Sequence, residues 1–197
     1  MDAVTVIDFE TTGLEFAKED RIVEIGAVKW SDHSITGIYD ALVNPGRPIP
    51  AEVVRVHGIT DSMVEHAVTL DIAIPELLDF IGDDIVVMHN VEFDSGFLMA
   101  QMKLLGIDHT LNYYDTLPAA RKKFLGSPNY RLATLKNFLN LKQLGTMHRA
   151  LADAYVTLQL YLKLENLWAV DSKSQLEKQL RKLTLQREPG ARFIVAP

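Results

Sequence analysis

Two acids close an apolar run near the start of the chain, in Asp8-Phe9-Glu10 followed by Thr-Thr-Gly. Strand alternation aims Asp8 and Glu10 at one side of a sheet edge, as a divalent cation requires of oxygen ligands. The D-x-E pattern is cheap in a chain with 26 Asp and Glu, so its place at the end of AVTVID carries the weight. Asp94 follows a second apolar strand, IVVMH, through Asn90-Val91-Glu92-Phe93, which sets it near a helix start. Taken alone, Asp94 reads as a helix cap. His148 precedes Asp153 by five residues at the head of the longest helical stretch, and Ala152 and Ala154 let Asp153 approach a sheet. His66/Asp71 and His89/Asp94 share that spacing, so spacing does not choose among the three. By itself the His148/Asp153 pair reads as a surface histidine and a first-turn acid favoured by the helix dipole. There is no cysteine, which excludes disulfides, thiolate metal sites and a cysteine nucleophile.

The elements that must position these residues are legible from periodicity. Residues 3–8 read as a buried strand, 22–30 and 35–45 as two strands joined through SDHS into a hairpin, and 85–89 as another buried strand. Residues 44–59, with three prolines and two glycines, read as a loop with room for one helical turn. Helices are expected from Ser62, over 71–81, 93–105, onward from Asp115 through Phe124, and over 132–139 and 149–168. Leu111–Asp115 reads as a fifth strand. A further amphipathic helix over 172–185 aligns Leu176, Leu180 and Leu183, and the last residues read as a loop with a short strand. Strands followed by alternating helix and strand predict an α/β fold, a mixed five-stranded sheet flanked by helices. The expected boundary sets residues 1–170 apart as one domain and 171–197 as a C-terminal helix and tail.

Taken in order, DFETTG (8–13), HNVEFD (89–94) and HRALAD (148–153) resemble the DEDDh, or DnaQ-like, 3′–5′ exonuclease family. That group includes the polymerase III epsilon proofreading subunit, exonuclease X, ribonuclease T and oligoribonuclease. VEIGAV, the NP before a loop, and VHGIT at 56–60 match as well, and the resemblance spans about residues 3–165. It implies a ribonuclease-H-like fold and two divalent ions, Mg²⁺ or Mn²⁺, held by Asp8, Glu10, Asp94 and Asp153, with His148 as general base. It implies release of 5′-mononucleotides from a 3′ end. By the same match, Thr11 binds the terminal 3′-OH through its backbone, and Leu14 presses on the terminal base. Glu52 and His57 resemble a nucleotide-binding pair, and Asn90 and Phe93 shape the pocket. For Leu14 and Phe93, ordinary core packing is the competing reading.

Net charge is −6, which on its own points away from nucleic acid. The sign pattern says otherwise. The acids concentrate before residue 116, while residues 116–152 hold seven Lys and Arg and no acid. Arg121, Lys122, Lys123, Arg131, Lys136, Lys142 and Arg149 are candidate phosphate contacts on a single-stranded or frayed 3′ end, DNA ahead of RNA. An RNA 3′-end trimmer of the ribonuclease T or oligoribonuclease type is the rival within the same chemistry. A polymerase-docking module or a homodimer built on the C-terminal helix is the rival outside it. No run of 18 apolar residues predicts a membrane span. The acidic N-terminus lacks the look of a signal peptide, so the expected location is cytoplasmic. Glu24, an acid on a buried-looking strand, receives no role.

Overall fold

A computed structural model of the chain describes residues 3–144, 148–168, 176–179, 181 and 193–195. β1 (Val4–Thr11), β2 (Ile22–Ser31) and β3 (Ser34–Asn44) form an antiparallel meander. Asp32 and His33 both take positive φ, 48° and 63°, at the β2–β3 turn. Two left-handed residues in a two-residue loop give the backbone twist that a tight hairpin needs. β4 (Val68–Thr69) pairs with β3, while β5 (Ile85–Met88) and β6 (Tyr113–Asp115) extend the sheet in parallel from β1. The order is β4-β3-β2-β1-β5-β6, with β7 (Phe193–Val195) antiparallel to β3. The five strands expected for the sheet are all present; β4, which was not expected, and β7, the short strand expected in the last residues, enlarge it to seven among the described residues.

Helices α1 (Ala51–His57), α2 (Asp61–Val64), α3 (Leu70–Ile81), α4 (Val91–Leu104), α5 (Thr116–Lys123), α6 (Leu132–Phe138) and α7 (Ala150–Leu164) cover the sheet. α1 corrects the expectation of a loop. Pro50 sits at its N-cap, where a missing N–H costs nothing, and Gly58 ends it in the left-handed region. The same punctuation that suggested a loop therefore brackets a seven-residue helix.

Strand alternation divides the core. Ile7, Phe9, Ile25 and Ala27 face α3 and α4, packing with Leu77, Ile81, Phe97 and Leu98. Val4, Val6, Val28 and Trp30 face α7, packing with Tyr155, Leu158 and Leu162. Each such side chain contributes about 1.5–3 kcal/mol when removed from water. α5 and α6 close over the far side of α7 through Ala120, Leu135, Val156 and Leu160. Leu176, from the expected C-terminal helix, is buried in the α7-facing cluster, and 176–179 are helical. Leu180 and Leu183 lie outside the described residues. Among the described residues, no helix is long and apolar enough to cross a membrane.

Candidate active site

Asp8 and Glu10 share the β1 face that Val4 and Val6 bury under α7, as alternation required. The register against β2 sets Asp8 opposite Gly26 and Glu10 opposite Glu24. Directly opposed residues share a face, so a third acid stands beside the first two. Asp94 arrives from the first turn of α4 and Asp153 from the first turn of α7. Asn90, with φ 77°, takes the α4 N-cap position that had been the alternative reading of Asp94. Of the three His-x4-Asp pairs, His66/Asp71 falls around β4 and the start of α3. His89 is bound between the Thr116 hydroxyl and the Tyr130 carbonyl. His148 reaches the acids: Glu10, His148 and Asp153 each offer a ligand atom, all within 4.8 Å of one another.

Five carboxylates thus converge, and their neutralisation differs. Arg149 Nε donates to both Glu24 oxygens at 2.9 and 3.0 Å, and the Ala150 amide adds a bond of 2.9 Å. Asp8, Glu10, Asp94 and Asp153 have no Lys or Arg ion pair among the described residues. Burial, then the charges of Asp94, Asp153 and Glu10, hold the Asp8 carboxyl well above its ordinary range. Burial, then Asp153 and Glu24, push Glu10 up to about 8. Burial pushes Asp94 up to about 8 against the backbone amides of Phe9 and Asp94 that hydrogen-bond its carboxylate. Asp153 is raised by burial against the His148 amide, which donates to Oδ2 at 3.1 Å. Its buried Oδ1 has no hydrogen-bond partner. An orphaned carboxylate oxygen amid mutually repelling hard donors fits a divalent cation such as Mg²⁺ or Mn²⁺.

The pH dependence of stability follows. A carboxyl whose folded pKa is raised favours the folded state below its unfolded value, and that contribution is lost as pH climbs through the folded value. The melting temperature in chelator therefore falls behind that in Mg²⁺ as pH rises from about 4 to about 8. A gap that stays constant across paired melts over this range would show that the acids are not raised.

The α7 N-terminus sits here because of two β2 residues that the sequence reading left without a role. A Cβ on Gly26 would meet the Ala150 and Leu151 backbone at 2.1 Å, so only glycine admits so close an approach. Two residues earlier on the same face, Glu24 takes hold of Arg149 and Ala150. His148, exposed and with φ 59°, projects from the residue just before this anchor.

A cavity of about 590 Å³ opens beside Glu10, lined by Thr11, Leu14, Glu52, His57 and Phe93 among others. Leu14 is 78 % exposed, which excludes the core-packing reading for it. Phe93 is half-buried, with its ring 5.2 Å from that of Phe97, so it packs and lines the cavity at once. His57 is buried. Its Nδ1 accepts from the Ile59 amide, which leaves Nε2–H to donate to the Thr11 carbonyl at 3.3 Å. Burial lowers its pKa, in keeping with this neutral tautomer. Asn90 does not join this group; it lines a separate cavity with Arg121 and Arg131.

A mixed sheet in this strand order, flanked by helices on both faces, is a ribonuclease-H-like α/β fold. Residues 5–161 match the RNase_T family, described as Exonuclease, and the chain belongs to it, in the DEDDh group of hydrolytic exonucleases. A DNA polymerase III PolC-type from Caldanaerobacter subterraneus is 36% identical over 184 residues, covering 93% of this chain and 13% of that protein. The PolC-type polymerase of Thermotoga petrophila is 40% identical over 159 residues, 80% of this chain and 11% of its own. The chain thus spans only a small part of the length of these relatives. Among solved structures, exonuclease X in complex with 5′ overhanging duplex DNA aligns with TM-score 0.67 and 28% identity, covering 86% of this chain and 96% of that one. The nuclease domain of 3′hExo, a DEDDh family member bound to rAMP, has the same fold, with TM-score 0.73 at 18% identity over 84% of this chain and 92% of that one.

Proposed function

We propose that the chain is a metal-dependent 3′–5′ exonuclease that removes 5′-mononucleotides from DNA 3′ ends, in proofreading or repair. The observation that carries this reading is the contrast within the carboxylate cluster: Glu24 has its own arginine, while Asp8, Glu10, Asp94 and Asp153 have no such partner. These four would hold two divalent ions, which supply Lewis acidity and a nucleophilic water at neutral pH. The His148 imidazole would accept the proton that a water gives up as its oxygen bonds to phosphorus and the P–O3′ bond breaks, and the departing 3′ oxygen would take a proton from solvent. The cavity beside Glu10 takes the terminal nucleotide. Thr11 meets the 3′-OH through its backbone, Leu14 presses on the base from the rim, Glu52 and Phe93 border the sugar and base, and His57 holds the Thr11 carbonyl in place. DNA is favoured over RNA because the relatives similar in sequence are DNA polymerases and exonuclease X was solved on duplex DNA.

A polymerase is the proposed partner, since the matching segments belong to polymerases. Residues 1–170 form the nuclease domain in this reading. Leu176, buried against Trp30 and Leu158, supports a C-terminal segment that covers the domain's own core. Incubation of the chain with 3′-extended, mismatched and RNA substrates in Mg²⁺, Mn²⁺ or EDTA tests the proposal. Mononucleotides should leave the 3′ end in metal only, fastest from DNA. His148→Ala should slow release by about 10²–10⁴-fold at neutral pH. Cleavage that persists in EDTA would sink the metal mechanism, and a full rate for His148→Ala would remove the base.

A further inference from the structure

The seven basic residues between 116 and 152 do not act alike. Lys123 Nζ donates to the carbonyls of Lys163 and Leu164 and to Asn166 Oδ1, which caps the end of α7. Lys136 bonds Gln143, Lys142 lies 3.9 Å from Glu177, and Arg149 holds Glu24. These four are spent within the chain. Arg121 and Arg131 are exposed, and neither guanidinium has an ion-pair partner among the described residues.

Both arginines line one cavity of about 650 Å³, between the end of β5, α5 and the loop before α6. Asn90 and Asn129 add amide groups to it, and no carboxylate lines it. The loop is built rather than slack. The Ser127 hydroxyl donates to the Asn129 carbonyl at 2.6 Å, and Asn129 Oδ1 accepts from the Arg131 amide at 3.0 Å. His89 Nε2–H donates to the Tyr130 carbonyl at 2.8 Å, tying the loop to the end of β5. This cavity adjoins the acid cluster: His89, Arg131 and Leu132 also line a cleft of about 380 Å³ with Asp8, Glu10, His148 and Asp153. That cleft in turn shares Phe9 and Glu10 with the cavity at Leu14. Three spaces therefore run in sequence, the first with an apolar rim, the second acidic and the third basic.

We propose that Arg121 and Arg131 form a subsite for the phosphodiesters of the strand just upstream of the scissile bond. The strand then enters over Arg121, passes Arg131, and ends with its terminal nucleotide beside Leu14. Guanidinium forks match phosphate oxygens and tolerate any base, as a sequence-indifferent strand binder requires. This assignment rests on the exonuclease reading for its direction, and a basic space beside the acid cluster supplies the charge that draws in phosphates upstream of the metal site.

The test compares Arg121→Gln, Arg131→Gln and the double variant with Lys103→Gln, an exposed cation in the last turn of α4 that lines none of the three spaces. The substrate is a fluorescently labelled single-stranded DNA decamer, assayed by steady-state cleavage and by anisotropy titration in Ca²⁺. Each arginine variant should raise KM and Kd by about tenfold, with kcat kept. Each should also lower the slope of log Kd against log salt by about 0.7. Lys103→Gln should match the unaltered chain. An RNA decamer of the same sequence should show the same loss, since phosphates are what is read. If the unaltered chain cleaves neither decamer, the exonuclease reading fails, while the anisotropy series still tests the subsite. A double variant with unchanged KM, Kd and salt slope overturns the subsite, and so does a loss confined to kcat.

Discussion

Asp8→Asn should all but abolish strand cleavage and at the same time stabilise the metal-free protein. Asp8 is buried between Asp94, Asp153 and Glu10, and every one of those charges raises its carboxyl. Without metal, ionised Asp8 repels its neighbours and gains nothing in return. An amide of the same shape removes that repulsion, so the melting temperature in EDTA should rise by about 2–4 °C for each kcal/mol relieved in a domain of this size. The same change deletes a hard anionic ligand, and cleavage should fall by about 10³-fold or more, the scale of losing several kcal/mol of transition-state stabilisation. The stabilisation that Mg²⁺ gives the unaltered chain should shrink in the variant. Melts with and without Mg²⁺, run beside a cleavage assay, read all three effects. An Asp8→Asn protein that melts lower in EDTA would show that the cluster is not repulsive, and the metal argument would lose its basis.

Breaking the Glu24–Arg149 pair should give unequal costs from its two ends. The Glu24 side chain is 2% exposed and that of Arg149 is 41%. Arg149→Ala strands a buried carboxylate with the Ala150 amide as its remaining donor, and the cost should be about 3–5 kcal/mol. Glu24→Gln leaves a guanidinium that can turn to water, and the cost should be about 1–3 kcal/mol. The double variant should cost less than the sum of the two. Because this pair anchors the residue beside His148, kcat should fall in each single variant, with KM changed less. Urea unfolding of the four proteins gives the coupling, and additive costs would show that the pair does not hold the α7 N-terminus.

The sequence was read most successfully where chemistry and local structure coincide. Asp8 and Glu10 end an alternating strand, Asp94 follows a buried one, and Asp153 sits between small residues on a helix, so each could be placed by its own element. Glu24 carried a signal too: it is an acid in the apolar run IVEIGAVKW, two residues from a glycine on the same face. Its meaning depended on strand register and on which helix packs above, and neither is a local property. The helix Ala51–His57 was missed because Pro50 and Gly58 mark helix ends and loop turns alike. β4 was missed because two residues show no period, whereas β7 falls where a short strand was expected; the pairing of both with β3 is made by tertiary neighbours. The basic stretch was legible as charge but not as function, since only coordinates separate the arginines facing a cavity from the lysine that caps α7.

The two short strands on β3 also protect the protein from self-association. A sheet edge presents unpaired amides and carbonyls that can recruit a foreign strand and seed aggregation. On β3, β7 covers Gly37–Tyr39 and β4 covers Val43–Asn44. What remains of β3 on that side, residues 34–36 and 40–42, is two stretches of three, each too short to template a stable intermolecular ladder. Shortening the chain ahead of residue 193 would bare three further residues of backbone, and the first sign of that loss would be turbidity at high protein concentration rather than a slower enzyme.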